Sequence, residues 1–301
     1  MKKKVYLYLT GGLGNQLFQY AAAKNIAIKN KSVFLIDKST GFLDDFRFKR
    51  SFSLKKKILK NIIIKNIIIF FIFFRLLKKI LNLKKVLYKF FSVTIINEFV
   101  YHKFFLPHLE NINFNGSLYI MGLFQSEKYF LNNRLEIIND IMPKKPSNKI
   151  FYDVHDMISD NSVAIGVRMH EGLPIHLKYT AGGITSHKFY LKGIQILLNK
   201  IKNPSFYFFS TKKIYIERLI LDLGIINKFK INIITPDNGY CDAYDNLWLM
   251  SCFKNLIISN STLYWWAAYF SKLKFKKNII ICSDRFPNKD TIPKGWIKIK
   301  S

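Results

Sequence analysis

The sequence predicts an α/β protein with two Rossmann-like domains facing a cleft. Three observations predict it. Short β-branched and aromatic runs alternate with segments whose apolar residues recur at helical spacing. A glycine cluster, Gly11-Gly12-Leu13-Gly14, stands between the first such run and the first helical segment. Pro143-Lys144-Lys145-Pro146-Ser147 interrupts the alternation, which then restarts. The 301 residues fit two domains of roughly 150 residues each. The expected division is 1–146 and 147–301.

Val5 to Thr10 reads as a buried strand, followed by the glycine turn. From Asn15 to Lys29, Leu17, Ala21, Ala22 and Ile26 keep helical spacing. Val33 to Ile36 reads as the next strand, ended by Asp37. Residues 43–105 read as a basic, mostly helical insertion. Leu118 to Met121 is an expected strand and Ser126 to Met142 an expected helix. After the prolines, strands are expected at Val163–Arg168, Phe206–Ser210, Ile231–Ile234, Leu256–Ser259 and Asn278–Cys282. Helices are expected at His187–Ile201, Tyr215–Leu223, Asp242–Phe253 and Ser261–Phe270.

Half of the residues are hydrophobic and 22% are charged, which supplies a core and excludes a disordered tail protein. The net charge of +29 argues for an anionic neighbour: nucleic acid, an acidic membrane surface or a phosphate-bearing ligand. It does not choose among them, and the abundance of Lys, Asn, Ile, Phe and Tyr is also what an AT-rich genome writes. Cys241, Cys252 and Cys282 form no C-x-x-C pair, so neither a disulfide framework nor a zinc knuckle is expected. The apolar stretch from Ile58 to Leu77 is interrupted by Lys60, Lys65, Asn66 and Arg75. It therefore falls short of the roughly 20 apolar residues a membrane span needs. A buried or surface-docked helix is the expectation, with peripheral contact with an anionic leaflet as the second reading.

Three constellations carry chemistry. The first is Gly11-Gly12-Leu13-Gly14-Asn15-Gln16. Glycines here turn the chain sharply and let a ligand approach helix N–H groups without internal partners. The second is Gly166-Val167-Arg168-Met169-His170-Glu171. An Arg at the end of a buried strand points into the carboxyl-end crevice, and its planar donors match a diphosphate. The third is Ser259-Asn260-Ser261-Thr262, at a strand-to-helix junction, where small hydroxyls either cap the helix or bind a phosphate. Trp265-Trp266 reads as core sooner than as a sugar platform.

Together these residues resemble the α-1,2-fucosyltransferases, glycosyltransferase family eleven. The resemblance rests on Gly11 to Ala21, on Gly122-Leu123-Phe124-Gln125-Ser126-Glu127-Lys128-Tyr129-Phe130, and on Leu249 to Thr262 with Trp265-Trp266-Ala267-Ala268. The blocks stand in the family's order and run nearly end to end. The resemblance implies a GT-B-like fold and inverting transfer of fucose from GDP-fucose to a galactose 2-hydroxyl. It implies no metal or other cofactor, and a donor nucleotide held mainly by the C-terminal half. The chain departs from the family's His-x-Arg-Arg-Gly-Asp stretch. Arg168 is kept, Met169 stands for the second Arg, Gly166 for the His, and Glu171 keeps the carboxylate. His170 and Lys178 are candidates to replace the missing charge. A Ser-Asp-Asp turn of the family is here Ser210-Thr211-Lys212.

The expected donor-binding residues are Gly12, Gly14, Asn15, Gln16, Arg168, Asp245, Ser259, Asn260, Ser261 and Thr262. Arg168, Glu171 and His170 are the expected catalytic residues, the last two as candidate general bases. The expected partners are a GDP-sugar and a galactose-terminated, lipid-linked glycan acceptor, at the inner face of a bacterial cytoplasmic membrane, with no nucleic acid. Rival readings are an NAD-type oxidoreductase using Gly12, Gly14 and Asp37, a nucleic-acid or membrane-surface binding protein, and a catalytically degenerate relative.

Overall fold

The computed structural model describes residues 2–38, 40–42, 50, 51, 53, 54, 63, 64, 93–100, 103–170, 176 and 182–301. The chain divides into two compact units. The first comprises Met1–Ile141 with Asn288–Thr291, the second Met142–Pro287 with Ile292–Ser301. The division falls just before Pro143. Unlike the expected boundary, it returns a short C-terminal segment to the first unit.

The first unit is built on a parallel sheet. In chain order its elements are β1 (Lys4–Tyr8), α1 (Leu13–Lys29), β2 (Val33–Asp37), β3 (Ile63–Ile64), β4 (Val93–Asn97), β5 (Ser117–Met121) and α2 (Arg134–Ile141). The strand order is β3-β2-β1-β5-β4, every neighbouring pair parallel. Val5, Leu7, Leu118 and Ile120 are fully buried, as expected for strands covered on both faces. Helix α1 is buried nearly all round, and its Ala21-Ala22-Ala23 run is buried too. The polar residues it buries have partners: Asn25 Nδ2 donates to Tyr129 O at 2.9 Å, and Thr10 N donates to Gln19 Oε1 at 3.0 Å. The returning segment is tied in through Asp290. Its carboxylate accepts from Phe105 N and Lys128 Nζ, and its carbonyl accepts from Ser126 Oγ at 2.8 Å.

The second unit contains α3 (Lys149–His155), β6 (Ser162–Gly166), α4 (His187–Leu198), β7 (Ser205–Phe209), α5 (Lys213–Leu223), β8 (Ile231–Ile234), α6 (Ala243–Met250), β9 (Asn255–Ile258), α7 (Thr262–Lys274), β10 (Ile279–Ser283) and β11 (Ile297–Ile299). Its sheet is parallel throughout, in the order β11-β10-β9-β6-β7-β8. Its core joins Val163, Ile165, Phe206, Phe208 and Ile257 of the strands to Phe189, Ile194 and Leu197 of α4 and Ile216 and Ile220 of α5. Trp265 and Trp266 are fully buried, and Trp265 stacks on Tyr269 at 4.8 Å, so the pair is core. The architecture is thus α/β, with two Rossmann-like units, the GT-B-like class expected from the sequence.

Several elements differ from expectation. The helix expected over Ser126–Met142 is two 3-10 turns, Glu127–Tyr129 and Leu131–Asn133, followed by α2 alone. Phe130, at φ −139°, leaves the helical region as its ring is buried, and this breaks the run. The strand expected to reach Arg168 ends at Gly166. Within the insertion expected to be mostly helical, β3 and β4 pair into the sheet; the β-branched run Val93-Thr94-Ile95-Ile96 explains β4. Apart from Ile63 and Ile64, the apolar stretch at 58–77 lies outside the described residues. Among the described residues, no helix is long and apolar enough to cross a membrane.

Candidate active site

Each sheet has one place where the strand order reverses, and in open α/β sheets ligands bind outside the carboxyl ends of the strands there. In the first unit the chain runs from β1 outward to β2 and β3 and then crosses to the other side, so the reversal lies between β1 and β5. In the second, β6 leads to β7 and β9 leads to β10, so it lies between β6 and β9.

The glycine cluster stands at the first of these places. Gly11 takes φ +76°, which a residue with a Cβ adopts only under strain, and a Cβ there would meet Asn15 Nδ2 at 2.9 Å. Gly12 is the N-cap of α1 in extended backbone, and a Cβ on it would meet nothing within 4 Å. Among the described residues, nothing around Gly12 therefore demands glycine. Gly14 is buried in the first turn. Gln16 is fully buried. Its Nε2 donates to Gly11 O at 2.8 Å and Ser51 O at 3.0 Å, and its Oε1 accepts from Ser53 N at 2.9 Å. Gln16 thus braces the turn. Asn15 is partly exposed, and its Oδ1 accepts from Gln125 Nε2 at 3.0 Å, across from the loop that follows β5.

At the second place, the loops after β6 and β9 meet. Ser259 N donates to Gly166 O at 3.2 Å, and His170 Nε2 lies 3.4 Å from Asn260 Oδ1. His170 takes φ +50°, a left-handed conformation that non-glycine residues enter when the surroundings hold them there. Arg168 follows the strand and is partly exposed. Tyr264 of α7 lies so close over Gly166 that a Cβ there would meet its ring at 2.5 Å, and its hydroxyl donates to Val167 O and Phe209 O. Burial pushes the Tyr190 phenol up from its ordinary range, so this hydroxyl stays protonated as it donates to Gly166 O.

The four residues of the third constellation divide. Ser259 is fully buried and Asn260 nearly so. The Asn260 amide donates to Gly183 O at 3.0 Å and Arg285 O at 3.4 Å, and its oxygen accepts from Thr185 Oγ1 at 3.3 Å. The Asn260 side chain therefore helps to build the junction. Ser261 is the N-cap of α7 but makes no side-chain capping bond, and both it and Thr262 are partly exposed. Capping does not account for these hydroxyls. The rest of that block is structural too: Ser271 Oγ donates to Phe253 O at 2.6 Å, and Lys274 Nζ reaches Ser251 Oγ at 2.7 Å.

Asp245 lies in the first turn of α6, the helix that links β8 to β9. Glu171 and Lys178 lie outside the described residues. Met169 packs against the core, so it contributes no polar group in place of the expected second Arg. Asp37, the acid that an NAD-type reading needs at the ligand, is 1% exposed. Among the described residues, no three His, Cys, Asp or Glu side chains are grouped to hold a metal ion. Sequence reasoning passed over Gln125 and Glu98. Gln125 carried the signal that singled out Asn15: a polar side chain in a glycine-started loop just past a strand.

The sequence model of Glycosyl transferase family 11 matches residues 4–300. An alpha-1,2-colitosyltransferase of Escherichia coli is 25% identical over 317 residues, 97% of each chain. The crystal structure of fucosyltransferase NodZ from Bradyrhizobium is similar at 12% identity and a TM-score of 0.45, covering 89% of this chain and 93% of that one. E. coli ADP-heptose lps heptosyltransferase II is similar at 10% identity and a TM-score of 0.42, covering 99% of this chain and 92% of that one. With its three blocks in order and a family match over nearly its whole length, the chain belongs to glycosyltransferase family 11.

Proposed function

We propose that the protein is an inverting, metal-independent glycosyltransferase. It moves fucose from GDP-fucose to the 2-hydroxyl of a galactoside during synthesis of a bacterial surface glycan. The observation that carries this reading is the junction of the second unit. There, the loop that carries a partly exposed Arg168 meets the loop that leads into Ser261 and Thr262, where Ser259 N donates to Gly166 O, and the N-cap hydroxyl of the helix that follows is not engaged in capping. A helix start with open N–H groups, hydroxyls and a guanidinium forms a receptor for a diphosphate. The second unit then holds the nucleotide and the first unit the acceptor.

The chemistry follows from where charge develops. As the anomeric carbon loses its bond to the diphosphate, positive charge grows on the sugar and negative charge on the leaving group. Arg168, Ser261 and Thr262 stabilise that leaving group, and such fixed donors are worth most when charge is fullest. One displacement inverts the anomeric centre. The acceptor hydroxyl loses its proton to a base, for which His170 and Glu171 are the candidates. His170 Nε2 lies 3.4 Å from Asn260 Oδ1, which ties the imidazole to the loop after β9. The acceptor is a lipid-linked glycan at the inner membrane face, where the +29 charge meets anionic lipid.

A second donor is favoured by one observation: the colitosyl transfer in the name of the E. coli relative. The test offers the purified protein GDP-fucose and GDP-colitose, with GDP-mannose and UDP-galactose as controls, plus methyl β-galactoside, with and without EDTA. EDTA-resistant GDP release from GDP-fucose, accelerated by the galactoside, is expected. Preference for GDP-colitose would move the assignment to that sugar. Turnover of neither, with no GDP binding, would sink the proposal.

A further inference from the structure

The block Gly122 to Phe130 carries family resemblance but has no part in the scheme above. Its first half is tightly built. Glu98, fully buried just past β4, accepts from Leu123 N at 2.7 Å. Gly122 packs so closely on it that a Cβ would meet the Glu98 side chain at 2.5 Å. Phe124 is fully buried at φ +49°, and its ring stands edge-on to Tyr129 at 5.3 Å. Ser126 N donates to Phe124 O at 2.8 Å and closes the turn. The residue this loop presents is Gln125, 6% exposed, whose amide meets Asn15 across the β1–β5 reversal.

We infer that Gln125 and Asn15 together form a binding element for an uncharged sugar hydroxyl. Gln125 Nε2 is committed to Asn15 Oδ1 at 3.0 Å. Among the described residues neither Asn15 Nδ2 nor Gln125 Oε1 makes a further hydrogen bond. The pair therefore leaves one donor and one acceptor over. With both amides turned over, the pair would still present one of each. A sugar hydroxyl both donates and accepts, and it satisfies both atoms at once. A phosphate oxygen only accepts. It would satisfy the N–H but face the bare amide oxygen, with the Glu98 carboxylate behind the loop. The element thus selects a neutral hydroxyl against a phosphate, and it assigns Asn15 to the sugar side of the reaction. The hydroxyl belongs either to the transferred sugar or to the acceptor.

This inference rests on the glycosyl-transfer reading, and the test separates the two. Gln125→Glu and the near-isosteric Gln125→Met are compared with the wild type, with circular dichroism and melting temperature confirming the fold. Affinities for GDP and GDP-fucose are measured by titration calorimetry, and transfer to methyl β-galactoside by steady-state kinetics. GDP affinity is expected to stay within about twofold, while one sugar-dependent quantity worsens by about tenfold or more, the cost of leaving a buried amide unpaired. Loss of the preference for GDP-fucose over GDP would identify the donor sugar as the ligand. A raised KM for the galactoside at unchanged donor affinity would identify the acceptor. Equal weakening of GDP and GDP-fucose would overturn the inference, as would no change in any quantity. If the wild type neither binds GDP nor turns over a donor, the glycosyl-transfer reading fails. Saturation-transfer NMR with fucose and methyl β-galactoside then tests the pair directly, and absence of a signal sensitive to Gln125→Met would overturn it.

Discussion

The two sheet reversals have the same geometry and opposite chemistry. Between β1 and β5 the chain places glycines and two neutral amides, Asn15 and Gln125. Between β6 and β9 it places a guanidinium, an imidazole and two hydroxyls at a helix start. In both, side chains brace the loops: Gln16 and Glu98 in the first, Asn260 and Tyr264 in the second. The contrast teaches that a parallel sheet supplies a crevice without specifying its occupant. The few side chains that reach the carboxyl ends decide whether the crevice suits a neutral sugar or an anionic diphosphate.

The sharpest attempt to break this contrast is Arg168→Ala. Under the proposed assignment it lowers kcat/KM with the GDP-sugar by about 10²- to 10³-fold, the loss seen when one transition-state donor is removed. Arg168→Lys recovers part of it, because charge returns without the planar fork. Near-wild-type transfer by Arg168→Ala would remove the anionic assignment of the second crevice.

Glycine replacements sharpen the comparison on the stability side. Gly166→Ala drives a Cβ to 2.5 Å from the Tyr264 ring and is expected to cost about 1–3 kcal/mol as overpacking. Gly11→Ala is expected to cost a similar amount, about 1–3 kcal/mol, from its φ of +76°. Gly12→Ala, with open space around the new methyl, is expected to leave the denaturation midpoint unchanged and to slow transfer. A Gly12→Ala protein that is destabilised as much as Gly11→Ala would show that the turn, not a ligand, requires that glycine.

Ser261→Ala comes next. A serine that caps its helix costs about 1 kcal/mol when removed, but Ser261 makes no capping bond. Stability is expected to change by no more than a few tenths of a kcal/mol and transfer to fall about tenfold. A clear drop in melting temperature with full activity would reverse that reading.

The smallest effect concerns the segment returned to the first unit. Hydrogen bonds from Lys128 and Phe105 N–H hold the Asp290 carboxyl below its usual range. A folded-state pKa below the unfolded value contributes stability above the unfolded pKa, and that contribution is lost as pH falls through the folded one. Asp290→Asn is therefore expected to melt slightly below the wild type near pH 7 and to converge with it in acid. The gap should be that of a largely exposed ion pair, under about 1 kcal/mol. Melting curves between pH 3 and pH 7 check it, and a gap that widened in acid would contradict the assignment.

Much of the fold was legible in the residues. Ile231–Ile234 was read as a strand at its observed bounds, and the strand–glycine–helix opening is present with bounds shifted by a residue or two. Legibility failed where packing overrode local periodicity. Residues 126–142 keep an apolar rhythm, but burial of Tyr129 and Phe130 tightens the first part into 3-10 turns. The candidate site was legible as a set of loops and less so as a set of contacts. Gln16 and Asn260 read as ligand contacts because amide side chains sit where ligands bind, and only the tertiary structure shows their amides bonded to loop carbonyls.

By itself the sequence determined the family, the two β/α halves and the loops that gather polar residues. These signals are local, since strand and helix periods, glycine turns and proline breaks are written within a few residues of one another. Only the tertiary structure decided which loops meet. Asn15 and Gln125 are 110 positions apart, and His170 and Asn260 are 90 apart. Strand order brings each pair together, and strand order is set by burying whole sheet faces, an energy distributed over the entire chain rather than written at either residue.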